Sequence, residues 1–433
     1  MNLTRSFVSP LCLLGILSLA TVASAANSAR PEELGFSPSR LARLDAVIQD
    51  SVDRHQLAGA VMFIARNGQT AHFKAYGLQD IETGKPMAPD AIFRIASMSK
   101  AVTTVAALML YEEGRFMLND PVSKFIPAFA NSVVAVPPPG DAPAATKFVT
   151  VPAKRPITIR DLMRHTAGLT YGDGKSDLAS DLYKEANVQG WNFTRHDEPI
   201  GDAINRLAKL PLHGQPGEQW QYGFGTDVLG HLIEVVSGMP LDRFIAERIT
   251  GPLKMTDTCF YLPPEKAGRL ANVYGIEDGR LVLKESAESS AYVHGPRKCF
   301  SGGAGLLSTA GDYARLLQML LNGGELDGVR LLSPMTVDLM QVNHTGDKYA
   351  AVARGPGTNS HGFGLGFWVN DDPGFMGELM GGGAYGWGSA YFPQYFVEPN
   401  EKIVALFMTQ LLPTGGNDLN QRFKVLVNQA LVK

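Results

Sequence analysis

Apolar residues recur along the chain with two different periods, and each period predicts one kind of element. Residues 38–54 carry apolar side chains at helical spacing, which predicts an amphipathic helix. Two apolar runs then flank Asn67-Gly68, the strongest short signal for a β-hairpin. Two more β-like runs surround residues 399–401, and an amphipathic helix follows them to the end of the chain. Strands are therefore expected near both ends of the sequence, with one helix before the first pair and another after the last pair.

The middle of the chain has a different pattern. Residues 115–330 are expected to form mostly helices and long loops, with helices beginning near Ile157, Thr226 and Thr309. The Pro- and Ala-rich residues 136–156 are interpreted as a surface excursion. We therefore predict an α+β fold, in which an antiparallel sheet is covered by the N- and C-terminal helices and carries an inserted helical region.

One predicted helix is apolar on almost every side yet opens with reactive polar groups. It follows Phe93-Arg94-Ile95-Ala96 and extends to Gly114, with Ser97 at its N-terminus and Lys100 one turn later on the same face. A lysine beside so much apolar surface is costly unless its charge is solvated, paired or given up. A neutral amine could accept the proton of Ser97, although an N-cap serine with a snorkelling lysine would fit this stretch equally well.

The first 25 residues have the pattern of a secretory signal peptide. A single cation, Arg5, precedes an apolar run that ends at Ala23-Ser24-Ala25, an A-x-A cleavage site. We expect a periplasmic or secreted protein whose mature part, residues 26–433, is one domain. Its sheet part is expected near residues 26–114 and 331–433, and its helical part near 115–330. We expect no integral membrane span in the mature chain.

Net charge and cysteine content indicate which partners and which covalent links to expect. Without Arg5 the formal net charge of −3 becomes −4, which gives no basic footprint for nucleic acid or for an anionic membrane surface. Two cysteines remain after the leader, Cys259 and Cys299. In an exported protein they could form a disulfide, or they could be two buried free thiols, and the sequence leaves both alternatives open.

Several catalytic signatures are missing from the sequence. There is no G-x-S-x-G nucleophile elbow, no H-E-x-x-H zinc helix, no P-loop and no dinucleotide-binding glycine motif. No cofactor and no metal are therefore expected. What remains is a single Ser-x-x-Lys match, Ser97 to Lys100, a pattern so short that only its position at the start of an apolar helix makes it informative.

Five sequence blocks together resemble the serine β-lactamases, the penicillin-binding proteins and their esterase relatives. They lie in the family's order, and the class C-like branch that contains the family VIII carboxylesterases is the most similar. The blocks read FRIASMSK, ITIRDLMRHTAGLTYG, QYGFGTDVLGHLIEVVSG, FSGGAGLLSTAGDYARLLQMLLNGGELDGVRLLSP and AYGWGSAYFPQYFVEPNEKIVALFMTQ. The resemblance covers nearly all of the mature chain and implies the class C β-lactamase fold.

The resemblance also implies roles for single residues. Ser97 would be the acylated nucleophile, Lys100 its basic partner, and Tyr222 the phenol that shares protons with both. The backbone N–H groups of Ser97 and Ala390 would form the oxyanion hole. His165 lies in one of the blocks without a chemical role, and we interpret it as structural.

Two departures from the family pattern bear on the substrate. Where penicillin-recognising enzymes have Tyr-x-Asn, Phe224 replaces the asparagine, and Trp387-Gly388-Ser389 replaces Lys-Thr-Gly. Two polar contacts that β-lactams use are thus absent, whereas the apolar Trp387 and Phe224 favour neutral acyl groups. We assign these four residues to substrate binding. Ser389 stands where the esterase branch often has glycine.

The sequence therefore predicts a serine hydrolase acting through a covalent acyl-serine on short-chain carboxylic esters, with possible weak β-lactam hydrolysis. A small-molecule ester or amide is the expected partner. The alternatives are a β-lactamase, a D-peptidase, an amidase on small peptides or oligoamides, or transfer of the acyl group to an acceptor other than water. A sensor or cell-wall binding module that stays acylated is the alternative outside the enzymes.

Overall fold

A computed structural model describes residues 29–143, 146–174, 177–354 and 361–433. The predicted signal peptide, residues 1–25, lies outside these ranges. The helices of the described residues are α1 Pro38–Asp53, α2 Ser99–Glu112, α3 Ile159–Met163, α4 Ser180–Glu185, α5 Ile200–Leu207, α6 Gly225–Ser237, α7 Leu241–Ile245, α8 Ala291–His294, α9 Ala310–Leu321, α10 Pro334–Met340, α11 Lys348–Arg354, α12 Pro373–Met376 and α13 Leu419–Asn428.

The strands pair antiparallel throughout the described part of the chain, in one large sheet and four small two-stranded ones. They are β1 Gly59–Arg66, β2 Gln69–Asp80, β3 Lys85–Pro86, β4 Phe93–Arg94, β5 Val133–Val136, β6 Val149–Pro152, β7 Val273–Glu277, β8 Arg280–Glu285, β9 Leu307–Ser308, β10 Glu325–Leu326, β11 Val329–Arg330, β12 His361–Phe363, β13 Trp368–Asn370, β14 Tyr385–Gly388, β15 Gln394–Glu398 and β16 Ile403–Thr409.

The large sheet joins the two ends of the chain. Its eight strands lie in the order β12-β13-β14-β15-β16-β1-β2-β3, so that the C-terminal strand β16 pairs with the N-terminal strand β1. The turn between β1 and β2 contains Asn67 and Gly68, with φ angles of 53° and 75°. Both values are in the left-handed region that a two-residue hairpin turn requires, and the predicted hairpin is confirmed.

One face of this sheet is covered by α1 and α13. Alternate residues of β1, Ala60, Met62 and Ile64, are buried in an apolar cluster that contains buried side chains from both helices, among them Leu44 and Phe423. Their period of two places every second side chain of the strand on this face. The predicted α+β fold, an antiparallel sheet covered by the terminal helices, is confirmed.

The other face packs against α9 and the helical region. Val61 of β1 belongs to the larger apolar cluster on this side, together with α2 and α6, whose packing forms the centre of the region. All residues of α2 from Ser99 to Leu110 are buried, which explains why its sequence is apolar on nearly every side. The active-site candidates lie where this helix meets the sheet.

The structure adds strands that the sequence analysis did not predict. Within the region expected to be mostly helical, β7 and β8 form a hairpin around Asp278 and Gly279, whose φ angles of 49° and 75° give the turn that Asp-Gly favours. The predicted excursion at residues 136–156 contains strand β6, which pairs with β5 at its start. Strands β12 and β13 have only three residues each, too few to show an alternating pattern.

Two further expectations concern the thiols and the membrane. Cys259 and Cys299 are both free in the structure, so of the two alternatives the unpaired one is observed. Burial raises the pKa of the Cys259 thiol to about 11. In the described residues, none of the helices has the length and apolar character that crossing a bilayer would require.

Candidate active site

Ser97 lies in a short 3-10 turn, Ala96–Met98, immediately before α2. Of residues 91–110 it alone is partly exposed, since its neighbours on both sides are buried. Ala96 has a φ of 34°, an uncommon conformation for a residue with a side chain. The Tyr313 hydroxyl donates a 2.8 Å hydrogen bond to the carbonyl of Met98 and anchors the turn. The fold thus presents one hydroxyl on an otherwise buried segment.

Lys100 is completely buried directly beneath this serine. Its Nζ lies 3.4 Å from Ser97 Oγ, 3.1 Å from the Tyr171 hydroxyl and 2.8 Å from the carbonyl oxygen of Gly303. All three partners are neutral oxygens. A buried amine held by such partners is well placed to exchange a proton with the serine hydroxyl.

Tyr222 presents the face of its ring to the lysine and lies three residues before the start of α6. Lys100 Nζ is 4.6 Å from the centre of the Tyr222 ring, and the indole Nε1 of Trp387 donates a 3.3 Å hydrogen bond to the Tyr222 hydroxyl. Trp387 belongs to β14, the strand that lies against the Ser97 turn. The structure therefore brings the predicted serine, lysine, tyrosine and tryptophan into one site.

A carboxyl group is buried behind the lysine. Asp227, in the first turn of α6, accepts hydrogen bonds from the Ser301 hydroxyl at 2.5 Å and from the backbone N–H of Gly303 at 3.1 Å. Burial raises the pKa of Asp227, although the nearby Lys100 charge and these two hydrogen bonds oppose the increase. The Gly303 peptide group thus links the two side chains, with its carbonyl on Lys100 and its N–H on Asp227.

The segment after β14 reaches the residue before the serine. Ala390 packs against a small apolar cluster that contains Ala96, and the preceding strand β14 contacts the Ser97 turn. Trp387, Gly388, Ser389 and Ala390 are all partly exposed. The Ser389 hydroxyl oxygen accepts a 3.3 Å hydrogen bond from the backbone N–H of Tyr391.

The expectation that Phe224 lines the substrate pocket is wrong. Its side chain has no exposed surface and packs behind Tyr171, with 4.9 Å between the ring centres, and against Tyr183. It occupies the N-cap position of α6, and its side chain points into the apolar core. Phe224 therefore supports the rings of the site from beneath and has no surface for a substrate.

His165 is buried within aromatic rings beside Tyr222. Its ring centre lies 4.6 Å from that of Tyr222 and 5.7 Å from that of Trp220. Neither ring nitrogen has a hydrogen-bond partner in the structure. Burial lowers the pKa of His165 well below its usual value, and the Lys100 charge adds to this effect. The imidazole is therefore uncharged, and it packs against the Tyr222 ring at one side of the site.

Sequence reasoning missed three groups that contact Lys100 or its surroundings, namely Tyr171, Asp227 and the Gly303 carbonyl. All three belong to blocks already singled out, but nothing local distinguishes them from packing residues. Gly303 follows two other small residues, and an added Cβ would lie 2.5 Å from Asp227 Oδ2, so glycine is needed for this close approach. Within the described part of the chain, no three His, Cys, Asp or Glu side chains are grouped to hold a metal ion.

Comparisons with known proteins give the family. The profile described as Beta-lactamase matches residues 44–429. Protein Rv1367c of Mycobacterium tuberculosis is 35% identical over 377 residues, 85% of this chain and 89% of that protein. Esterase EstB of Burkholderia gladioli is 30% identical over 391 residues, 87% and 92% of the two chains.

A solved structure extends the likeness to the fold. EstCE1, described as a hydrolase with promiscuous acyltransferase activity, superposes with a TM-score of 0.76 at 27% identity, covering 90% of this chain and 99% of its own. The family match, the esterase relative and this superposition agree with the resemblance to family VIII esterases. The chain belongs to the β-lactamase family and is a serine hydrolase of the β-lactamase and penicillin-binding-protein superfamily.

Proposed function

We propose that the protein is a carboxylesterase that hydrolyses short-chain esters through an acyl group on Ser97. The single observation that supports this most strongly is the convergence on that serine, where a partly exposed hydroxyl lies 3.4 Å from a completely buried amine. The esterase names of relatives at comparable coverage, EstB among them, agree with the choice of substrate class.

In the acylation step, Ser97 Oγ attacks the ester carbonyl carbon while its proton passes to the Lys100 amine. The bond to the alcohol oxygen breaks, and the leaving alkoxide takes the proton of the Tyr222 hydroxyl. The site then holds an ammonium and a phenolate beside the acyl-serine. Proton transfers of this kind contribute typically ~10²–10⁴ in rate.

Deacylation returns both protons. Water gives one proton to the Tyr222 phenolate as its oxygen adds to the acyl carbonyl carbon. The bond to Ser97 Oγ then breaks, and Oγ recovers its proton from Lys100. In both steps the negative oxygen of the tetrahedral intermediate would be held by the backbone N–H groups of Ser97 and Ala390, and each such donor is worth roughly 10²–10³ in kcat.

Trp387 supports esters over β-lactams as substrates. Penicillin-recognising relatives have a lysine in this position, whose charge attracts the β-lactam carboxylate. Here an indole directs its N–H at the Tyr222 hydroxyl and leaves an apolar ring edge beside the site. A charge-assisted hydrogen bond to a carboxylate is worth roughly 1.5–3 kcal/mol, and its absence lowers affinity for that group. Weak β-lactam hydrolysis remains compatible with the same acylation machinery.

Paired assays test the proposal. The purified protein is incubated with a p-nitrophenyl short-chain ester and with nitrocefin, and turnover is measured together with the mass of any acyl adduct. We expect ester turnover, an adduct on Ser97, and loss of both in Ser97→Ala. Fast nitrocefin cleavage without ester turnover would reverse the substrate ranking, and a stoichiometric adduct without turnover would indicate a sensor. A small panel of amides separates an amidase or peptidase.

Acyl transfer to an alcohol is a second candidate. The partly exposed ring of Trp387 lies beside Tyr222, with 5.6 Å between the two ring centres, and the partly exposed Tyr349 ring lies 6.3 Å from Trp387 on the same measure. These rings would favour an apolar acceptor over water. The related EstCE1 is described as a hydrolase with promiscuous acyltransferase activity. Adding a primary alcohol to the ester assay and quantifying the new ester against free acid measures the partition directly.

Export is proposed from the sequence of residues 1–25. Cleavage after Ala25 would release a mature chain beginning at Ala26. Mass measurement of the protein from a periplasmic or culture fraction tests this, since an uncleaved N-terminus would contradict it.

A further inference from the structure

One partly exposed tryptophan borders the site and has no part in the proposed mechanism. Trp191 packs against a small apolar cluster that contains Ala96, the residue before the nucleophile, and Tyr391, the residue after Ala390. Its ring meets the Tyr391 ring edge to face, with 5.5 Å between the centres. An indole with part of its surface free beside a reactive serine offers an apolar contact to the molecule that the serine attacks.

The backbone on both sides of this indole is fixed. Before it, the N–H of Gly190 donates a 2.8 Å hydrogen bond to the carbonyl of Tyr171, and Gly190 has a φ of 83°, which glycine adopts without strain. After it, Phe193 is buried, with 5.6 Å between its ring centre and that of Phe224. Trp191 is therefore held at a defined place beside the site.

Tyr391, the other ring of the pair, is buried and bonded to two neighbouring segments. Its backbone N–H donates to the Ser389 hydroxyl oxygen at 3.3 Å, and its carbonyl accepts the N–H of Leu411 at 2.9 Å. Among the described residues, the cluster against which the indole packs has only four buried side chains, those of Ala96, Val273, Ala304 and Tyr391. Little space therefore separates the indole from the backbone beside Ser97.

The proposed chemistry fixes where each end of an ester lies. The leaving alcohol must reach the Tyr222 hydroxyl, which is its proton donor, and the carbonyl oxygen must reach the N–H groups of Ser97 and Ala390. Because the bonds of a tetrahedral carbon diverge, the acyl chain extends away from Tyr222. The backbone at residues 96 and 390 borders this direction, and Trp191 lies beside both.

We propose that Trp191 is a specificity-determining residue whose indole closes the space that the acyl chain enters, so that esters of short-chain acids fit and esters of long-chain acids do not. This inference rests on the proposed function. It assigns the limit on acyl length to a single side chain, which lies outside the five sequence blocks. A chain that grows from Ser97 toward this ring reaches it after a few carbons.

The test compares Trp191→Ala with the unmodified protein on p-nitrophenyl acetate, butyrate and octanoate. We expect the ratio of kcat/KM for octanoate to that for acetate to rise about tenfold or more, since the space left by the indole accepts additional methylene groups. A ratio of two kcat/KM values from one preparation does not depend on how much of it is folded. An unchanged or lower ratio in the variant would overturn the proposal.

Trp191→Phe keeps the test decisive if Trp191→Ala folds poorly. The smaller ring retains an aromatic contact with Tyr391 but opens part of the space, so its octanoate-to-acetate ratio should lie between those of the unmodified protein and Trp191→Ala. A ratio no higher than that of the unmodified protein would contradict the proposal.

Asn192→Ala is the matched control for movement of the loop. Asn192 is exposed, and its Oδ1 accepts hydrogen bonds from the backbone N–H and the hydroxyl of Thr194, at 3.0 and 2.7 Å. The substitution loosens the same segment and keeps the indole, so we expect the octanoate-to-acetate ratio to stay that of the unmodified protein. An equal rise in both variants would mean that the loop, and not the Trp191 ring, limits the acyl chain.

A second ester series separates the two ends of the substrate. With butyrate as the acyl group and methanol or octanol as the alcohol, the ratio of the two kcat/KM values should be the same in Trp191→Ala and the unmodified protein. A shift in this ratio in place of the acyl ratio would put the indole on the alcohol side and overturn the assignment.

The unmodified protein tests the proposed function separately. Absence of an acyl adduct on Ser97, or a preference for octanoate over acetate, would contradict a short-chain esterase. A preference for short acyl chains that Trp191→Ala leaves unchanged would contradict the role of Trp191 alone.

Discussion

Two completely buried charged side chains of the helical region have very different surroundings. Asp161 of α3 accepts side-chain hydrogen bonds from Arg155 and Arg164, at 2.6 to 3.0 Å, and from Thr158 and Thr166, both at 2.7 Å. Burial by itself raises its pKa, but these bonds outweigh burial and hold the pKa well below the usual value. Its charge is fully compensated.

Lys100 is equally buried, yet its hydrogen-bond partners are neutral oxygens of Ser97, Tyr171 and Gly303. The carboxyl behind it, Asp227, has one oxygen without a partner, and burial raises its pKa. We call the surroundings of Lys100 and Asp227 the lysine region and those of Asp161 the aspartate region. In the lysine region the buried polar atoms lack some of their hydrogen-bond and charge partners, whereas in the aspartate region every carboxylate oxygen has donors.

The difference separates stability from reactivity. A buried charge that is surrounded by opposite charge and donors is held in one protonation state, and removing it leaves its partners unpaired. A buried amine whose partners are neutral oxygens has no opposite charge within hydrogen-bond distance to hold it, and one of those partners here is the Ser97 hydroxyl with which it would exchange a proton. We therefore expect Asp161 to contribute to the stability of the fold and Lys100 to contribute to activity.

The largest effect is expected from Lys100→Met, a change that keeps roughly the side-chain length and removes the amine. Ester turnover should fall by ~10²–10⁴ because the serine loses its proton acceptor. The free energy of unfolding, measured in urea, should stay the same or increase, since a buried polar amine is replaced by an apolar group. A large loss of stability would show that the lysine region is structural, as the aspartate region is.

The converse is expected for Asp161→Ala. Removing one partner of a buried, hydrogen-bonded ion pair typically costs 3–5 kcal/mol of stability, and kcat per folded molecule should hardly change. Asp181→Ala is the control, because Asp181 pairs with Lys147 on the exposed surface, where an ion pair contributes little to stability. Lost activity in a folded Asp161→Ala protein would remove the distinction between the two regions.

Contacts between residues that are close together along the chain could be predicted from the sequence more readily than contacts between distant segments. Asn67-Gly68 is a local turn signal that predicts its hairpin directly, and Ser97 and Lys100 are close enough in sequence for their contact to be expected. The hairpin at Asp278-Gly279 carries the same kind of turn signal, but it lies in a region whose overall pattern predicts mostly helices.

Contacts between distant segments could not be predicted in this way. Tyr171 is 71 positions from Lys100 along the chain and Gly303 is 203 positions away, so only the fold brings them together. Phe224 shows the limit of the family pattern, since it stands where the relatives have the asparagine of Tyr-x-Asn, but its ring is completely buried. Tyr222 and Trp387 were found only because the family resemblance carries long-range information.

A smaller effect should follow from Trp387→Lys, which introduces a charge at the mouth of the lysine region. The ratio of kcat/KM for carboxylate-bearing esters to that for neutral esters should rise about tenfold or more. Trp387→Phe is the control that removes the indole N–H without adding a cation, and it should lower turnover without changing this ratio. An unchanged ratio in Trp387→Lys would place the residue away from the bound acyl group.

The smallest effect concerns pH and the aspartate region. Because the pKa of Asp161 is lower in the folded than in the unfolded chain, its contribution to stability is complete above about pH 4 and is lost as the pH falls. The difference in unfolding free energy between the unmodified protein and Asp161→Asn should shrink by about 1.4 kcal/mol for each pH unit below about 4. Urea unfolding at pH 7 and near pH 3 measures the difference, and parallel curves for the two proteins would show that the carboxylate is not the group that stabilises this region.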